Sequence, residues 1–372
     1  MRDTYRRYRA IAQCLLQLYP HARGHQRRHL ATLALFITGI VGSQHTQLPK
    51  VVEHTPGGRA ADESVVMRFR RWLKHADVTY ERWMLPVAQA LITMLGRRPL
   101  VFVIDGSTVG RGGMCVMFSV VYQRRALPIT WMVVSARKGH LPETLHCALL
   151  EQLARLVPTD ATVTILGDGE YDGTAWQAAI TKRGWQYVCR TASDILIHAA
   201  GVTITMRDLA PRRGEVVAVE QARMTAAQYG PVTALAVWDA AYEQPIYLVT
   251  THTDLELAVA LYRRRAQIET YFSDQKSRGF RINRSHISNP MRLARLLIAT
   301  ALAYLWLVYL GGVARRDALR GRIHRPDRCD ISLFSLGLRL LAYCLRHRRA
   351  IPRGVPKPLL TARQPALKRS VR

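Results

Sequence analysis

Acidic residues are scarce: 26 Asp and Glu stand against 54 Lys and Arg, which leaves a formal net charge of +28 over 372 residues. Such an excess favours a polyanionic partner and makes nucleic acid the first candidate. An acidic membrane surface is the second, but that reading needs a lipid anchor or an exposed amphipathic helix, and neither end carries a lipidation motif. Cysteine is also sparse. The six cysteines (Cys14, Cys115, Cys147, Cys189, Cys329 and Cys344) include no C-x-x-C pair, so neither a disulfide framework nor a zinc ribbon is indicated, and a reducing cytoplasm fits best. A secretory leader is not expected, because Arg2, Arg6, Arg7 and Arg9 precede only a short apolar stretch interrupted by glutamine. No nucleophile-elbow pattern and no internal repeat are present. One long uncharged run, residues 296–313, has the length of a membrane span. It is solitary, holds Thr300, Tyr304 and Tyr309, and follows an arginine-rich start, so a buried core helix is expected there.

What is present divides the chain into regions. Hydrophobic residues make up 49% of it, enough for a folded protein, and its length exceeds what one core comfortably serves. Residues 1–95 read as a basic helical region suited to DNA binding. Within it, residues 64–74 place Val65, Phe69 and Trp72 on an inward side and Arg68, Arg71 and Lys74 beside them. From Pro99 the texture becomes that of a mixed α/β sheet. Leu100-Val101-Phe102-Val103-Ile104 is a buried strand ending in Asp105; strands at 114–123 and 127–134 follow, then a helix at 142–156 and a buried strand at 161–167 ending in Asp168. A helix at 174–183 and a strand at 185–189 complete the series. Residues 191–251 show only short β-like pieces and read as a β-strand insertion. The mixed α/β unit is then 96–190 with 252–314, and 315–372 is a basic C-terminal region whose prolines (Pro352, Pro356, Pro358, Pro365) argue for a frayed tail.

The chemistry is concentrated after the insertion. Tyr262, Arg265, Glu269 and Lys276 recur at helical spacing and are expected on one face of a continuous helix, with Leu257, Leu261, Ile268 and Phe272 on a neighbouring apolar stripe. Thr253-Asp254-Leu255-Glu256 reads as a capping box, and Gly279 as the stop. Asp105 and Asp168 each follow a buried strand, a position that puts a carboxylate at the rim of a sheet. Together with Glu269 they form an oxygen-only donor set suited to Mg²⁺ or Mn²⁺, and two such ions would serve in-line displacement at a phosphate. Strand-end aspartates also cap turns, and Glu170 and Asp172 compete with Asp168 for the ligand role; Asp168 is preferred because it directly ends its strand. The histidines His140, His146, His324 and His347 are irregularly spaced and read as ordinary surface or core residues.

The arrangement Tyr262-x2-Arg265-x3-Glu269-x6-Lys276, preceded in order by Asp105-Gly106 and Gly167-Asp168-Gly169, resembles the Y-R-E-K signature of bacterial transposases of the insertion-sequence-4 type. The resemblance spans roughly residues 60–310. It implies a ribonuclease-H-like mixed sheet with a β-rich insertion, preceded by a helical N-terminal region and followed by C-terminal helices. It further implies a DDE transposase, cytoplasmic and nucleoid-associated when bound to DNA, that cleaves double-stranded DNA at terminal inverted repeats and joins the 3′-hydroxyl to target DNA. Asp105, Asp168 and Glu269 would bind two Mg²⁺ or Mn²⁺ ions; Tyr262, Arg265 and Lys276 would handle DNA phosphates; a homodimer on DNA is expected. Some relatives place an aromatic residue of the insertion against a flipped base, and Tyr247 occupies the matching place here, with Trp238 as the weaker candidate; a structural role in the sheet is the alternative for both. Two other readings of the chain stand beside this one: a non-catalytic DNA-binding descendant of such an enzyme, and a ribonuclease-H-fold nuclease that cuts without joining.

Overall fold

In a computed structural model, which describes residues 2–354 apart from 58–60, 97, 137, 138, 140, 317, 318, 326, 328 and 329, ten strands form one mixed sheet, with one set of helices before it in the chain and others within and after it. The first set is α1 (Arg2–Leu18), α2 (Gly24–Ser43), α3 (Leu48–Val52), α4 (Asp62–Lys74), α5 (Tyr80–Trp83) and α6 (Leu85–Leu95). Its core closes on aromatic contacts, with Phe36 stacked on Phe69 at 4.6 Å and edge-on to Trp72 at 6.0 Å. Phe69 and Trp72 are buried as expected, and Arg68, Arg71 and Lys74 remain exposed on α4.

The sheet begins with an antiparallel meander, β1 (Leu100–Val109), β2 (Gly113–Tyr122) and β3 (Arg125–Ser135). Helix α7 (Glu143–Ala154) crosses to β4 (Val163–Gly167), parallel to β1, and α8 (Thr174–Thr181) crosses to β5 (Gln186–Thr191), parallel to β4. Parallel neighbours need such crossovers, and the apolar runs of β1 and β4 are buried throughout their paired length. The insertion supplies β6 (Leu196–Ala199), β7 (Val202–Thr205), β8 (Val216–Met224), β9 (Tyr229–Val237) and β10 (Ile246–Thr250). It does not form a separate layer: β10 pairs with β5, so the order is β3-β2-β1-β4-β5-β10-β9-β8-β6-β7. The ribonuclease-H-like α/β expectation is met.

The strands differ from the sequence reading most clearly in one boundary and one additional strand. β1 runs past Asp105 to Val109, because residues 106–109 pair with 113–116 of β2, and the turn falls instead at Gly110 and Gly112, which adopt φ of 55° and 74°. Strand β6 was not expected; it is four residues long and carries too little pattern to stand out.

The helix of the polar signature is broken in two. Helix α9 (Leu255–Arg263) and helix α10 (Gln267–Gln275) are joined by a 3-10 turn at Arg264–Ala266. The arginines at the junction engage acids on different elements: Arg263 pairs with Asp239 at 2.7 Å, and Arg265 with Asp105 and Glu269. Three residues at 3.0 per turn shift the phase of α10 by about 60° relative to an unbroken α-helix. After the break Ile268 is buried as expected, but Tyr271 is buried beside it while Phe272 is only half-buried; before the break, Leu257 is 40% exposed. The N-cap is Asp254, whose carboxylate accepts from the Leu257 amide at 2.9 Å, in place of the expected Thr253 box, and the helix ends at Gln275, short of Gly279.

Helix α11 (Pro290–Arg316) contains the long apolar run, and 94% of its most apolar window is buried. It is a core helix, as expected. After the short α12 (Arg320–Ile323), residues expected as frayed tail form α13 (Leu333–Arg346), an amphipathic helix whose Phe334, Leu336, Leu340 and Leu341 pack into the core. The prolines mark only the segment beyond it; Pro356, Pro358 and Pro365 lie outside the described residues.

Helices α11 and α13 approach backbone to backbone at Gly311 and Gly337. A Cβ on Gly337 would lie 2.0 Å from the Leu307 carbonyl oxygen, and one on Gly311 would lie 1.9 Å from that of Leu333. Neither oxygen can retreat without moving a helix. Gly337→Ala is therefore expected to destabilise the fold by about 1–3 kcal/mol in urea denaturation, despite alanine's better helix propensity.

Candidate active site

The parallel register of β1 and β4 determines where the first two acids sit. Val101 is level with Thr164, Phe102 with Ile165 and Val103 with Leu166, so two steps further on Asp105 is level with Asp168. Adjacent strands are about 4.8 Å apart, and residues two apart share a face, so both carboxylates leave the sheet side by side. The β4–β5 register extends the row. Gly167 pairs with Cys189, which brings the exposed Arg190 level with Asp168 on the third strand. Asp105 is 5% exposed and one of its oxygens accepts from the Gly106 amide at 2.7 Å; Asp168 caps a short turn by accepting from the Glu170 amide at 3.0 Å.

Glu269 reaches this row through Arg265. The guanidinium lies 3.6 Å from Asp105 Oδ2 and 2.6 Å from Glu269 Oε1, with Tyr262 under it at 6.0 Å from the ring centroid. Burial works against the Arg265 charge, but Tyr262, Asp105, Glu269 and Asp168 outweigh it and hold its pKa above the ordinary arginine value. The Tyr262 phenol is pushed up by burial against the pull of Arg265 and Arg190, and stays neutral. Five residues from three stretches of the chain thus act on one another electrostatically: Asp105, Asp168, Tyr262, Arg265 and Glu269. Three carboxylates would repel at this range, and the guanidinium is the cation that compensates them.

The three carboxylates do not all lie within 4.8 Å of one another. Among the described residues the one set of three metal-type ligands within 4.8 Å of one another is His29, His75 and Asp77, on the N-terminal helices. There Asp77 is paired with Arg82 at 3.3 Å and His75 Nδ1 accepts from the Asp77 amide, so two of its three residues are already engaged. At the sheet, the place between Asp105 and Glu269 is taken by the guanidinium.

Other predicted residues fall at varying distance from the acids. Lys276 donates to Thr108 Oγ1 at 3.2 Å, further along β1 than Asp105. Tyr247 does not join the group: it is 9% exposed in β10, between Thr191 of β5 and Ala236 of β9, because strand pairing on both sides leaves an aromatic there inside the sheet. Trp238 donates its ring N–H to the Tyr242 carbonyl in the following loop. The competitors of Asp168 also resolve into roles. Asp172 accepts from Thr191 Oγ1 at 2.8 Å and is pushed up by burial, whereas Glu170 approaches Gly106 beside Asp105. His146 is a core residue packed on Tyr171 at 4.7 Å and lowered by burial; His140 and Cys329 lie outside the described residues, and the five described cysteines are free.

Two neighbours escaped the sequence reading. Tyr171 is fully buried with its hydroxyl lacking a hydrogen-bond partner, and burial followed by Asp105, Asp168 and Glu170 pushes its pKa up. Arg190 had no signal at all, since its position depends on register across three strands.

The model of the transposase DDE domain family matches residues 97–306, more than half of the chain. The chain belongs to that family. Among solved structures, a piggyBac transposase synaptic complex with hairpin DNA is similar at 12% identity and a TM-score of 0.47, covering 92% of this chain and 79% of that one. Human ENDOV is similar at 17% identity and a TM-score of 0.27, covering 54% of this chain and all of that one. No curated protein matches the sequence. The matched segment of this transposase-family chain contains Asp105, Asp168, Tyr262, Arg265, Glu269 and Lys276.

On the buried side of α10, Asp274 is 1% exposed with Oδ2 unpartnered, and burial pushes its carboxyl up to about 6 against Arg125 and Arg278. The folded state therefore binds this proton more tightly than the unfolded chain does. The group favours folding below about pH 4, and that contribution is lost as pH rises through about 6. Asp274→Asn is expected to flatten the pH dependence of unfolding free energy across that window and to raise stability at neutral pH by about 2–3 kcal/mol.

Proposed function

We propose that this protein is a bacterial DNA transposase of the insertion-sequence-4 type, cleaving the ends of its own element and joining the freed 3′-hydroxyl to target DNA. The observation that carries the reading is the grouping of Asp105, Asp168 and Glu269 about Arg265, contributed by segments far apart in sequence. In this reading Asp105, Asp168 and Glu269 hold two Mg²⁺ or Mn²⁺ ions. Their oxygen-only donor chemistry fits hard divalent cations, and the acids already share one cationic partner. Bound there, such ions would activate the attacking hydroxyl and stabilise the leaving oxygen.

The chain's own residues prepare the site for DNA. A phosphate offers Arg265 a bidentate partner equal to a carboxylate. When duplex enters, Arg265 exchanges its acids for phosphate oxygens and releases Asp105 and Glu269 to bind cations. Glu269, with a side chain 57% exposed, is free to turn, whereas Asp105 is fixed in its strand. Tyr262 supports the guanidinium from below, and Lys276 and Arg190 hold the strand on either side of the cut. Tyr247 is assigned to the sheet. Residues 1–95 bind DNA, 96–190 with 252–314 carry catalysis, 191–251 widen the sheet and 315–372 add a basic C-terminal region; the working form is a homodimer on paired ends, in the cytoplasm at the nucleoid.

Asp105→Asn, Asp168→Asn and Glu269→Gln are each expected to lower Mg²⁺-dependent cleavage at least about a thousandfold, roughly 4 kcal/mol of transition-state stabilisation, while DNA affinity stays within about threefold. Unimpaired cutting by the Glu269→Gln protein would sink the proposal. A pre-cut 3′-hydroxyl end presented with target duplex separates a transposase, which gives joined product, from a simple nuclease, which gives none.

A further inference from the structure

A cleft of about 530 Å³ lies between the N-terminal helices and the segment after α10. Arg70 and Lys74 of α4 line one wall; His286 and Arg292, at the start of α11, line the other. Lys50, Arg281 and Arg284 stand close by: burial lowers the pKa of His45 there, and Lys50, Arg281, Arg284 and His286 all lower it further, with no acid opposing them. Among the described residues, the ion pair that involves a lining residue is that of Arg70 with Glu63 at 3.7 Å, both exposed.

The walls are fixed to one another. Arg295 of α11 donates to the carbonyls of Leu73 and Val78 at 3.0 and 2.9 Å, which holds the end of α4 against α11. Thr46 donates to the Arg281 carbonyl at 3.2 Å. The β1–β2 turn is tied to the same wall, since the amides of Gly110 and Arg111 donate to the carbonyls of Ile282 and Ile287. A row of cations on a rigid frame costs little entropy to present to a polyanion.

We infer that this cleft is a second DNA contact, separate from the acids, that grips the sugar-phosphate backbone of the duplex being cut. The inference rests on the proposed function for its partner. Its position is set by β1: Gly110 lies five residues beyond Asp105, about 17 Å along the strand. At about 3.4 Å per base pair, that is about five base pairs, or half a helical turn. The cleft thus meets the backbone about half a turn from the phosphate at Asp105, and its contacts are with phosphates, without base readout.

The test is binding alone, with no divalent metal, so that it stands apart from catalysis. A fluorescent random-sequence duplex of about 40 base pairs is titrated with the full chain over a range of salt. Each phosphate contact adds about 0.9 to the slope of log affinity against log salt. The variant Arg70→Gln/Lys74→Gln/Arg292→Gln is expected to lose about two to three units of slope and at least about tenfold in affinity near 0.15 M salt. Because Arg292 is half-buried, the exposed pair Arg70→Gln/Lys74→Gln is measured beside it, with an expected loss of about two units. A control, Arg207→Gln/Arg212→Gln/Arg213→Gln on exposed positions of the insertion, should leave the slope unchanged. An unchanged slope in the cleft variants overturns the inference, and so does an equal loss in the control, which would mark bulk charge alone. Loss of cleavage by Glu269→Gln bears only on the catalytic reading and leaves this result untouched.

Discussion

The parallel pairing of β1 with β4 is the constraint on which the site depends. Backbone hydrogen bonds between two buried strands set their register, and side chains have no freedom to change it. A one-residue slip would turn either Asp105 or Asp168 to the opposite face of the sheet. The same ladder, continued to β5, brings in Arg190. A strand-borne site therefore takes its precision from hydrophobic burial of residues such as Val103, Ile165 and Leu166, none of which touches a substrate, and their exposure of 0% shows how firmly that register is held.

Glu269 is placed by different physics. It is carried on a helix that could rotate or slide, and its link to the sheet is electrostatic, through Arg265 to Asp105. Arg265 is only 16% exposed, so its ion pairs are less screened than surface pairs, and its guanidinium cannot leave without another anion to receive it. The guanidinium thus occupies the place between Asp105 and Glu269. Under the proposed function, this pairing would keep the acids engaged until DNA arrives, and DNA entry and the assembly of the acid cluster would be parts of one exchange.

Much of this was legible in the sequence, for identifiable reasons. The buried strands announced themselves as continuous apolar runs, and α11 as a core helix by its isolation and its polar interruptions. The spacing of Tyr262, Arg265 and Glu269 was informative because helical neighbours are local. What escaped was non-local. The extension of β1 past Gly106-Ser107-Thr108 contradicts turn chemistry that is sound in isolation, and it is imposed by pairing with β2. The break at Arg264–Ala266 has no proline or glycine to mark it, and it arises from acids supplied by β1 and by the segment after β9. Helix α13 was hidden behind the prolines beyond its end, and the burial of Tyr247 depends on β5, which is remote in sequence, as well as on the neighbouring β9.

The distribution of charge sharpens the meaning of the +28 total. A net charge by itself raises affinity for any polyanion and carries no address. Here the described cations fall into two structural kinds. Arg265 is half-buried and paired with acids, so its charge is largely spent until an anion replaces them, whereas Arg70, Lys74, Arg281 and Arg284 are exposed around a braced cleft with little acid near them. Under the proposed function and the inferred cleft contact, the first kind would sense a phosphate at one point, and the second would attract a duplex over a distance and fix its path. Separating these tasks would let the chain bind DNA without first opening its acid cluster, and would let that cluster respond only to a strand lying in the correct place.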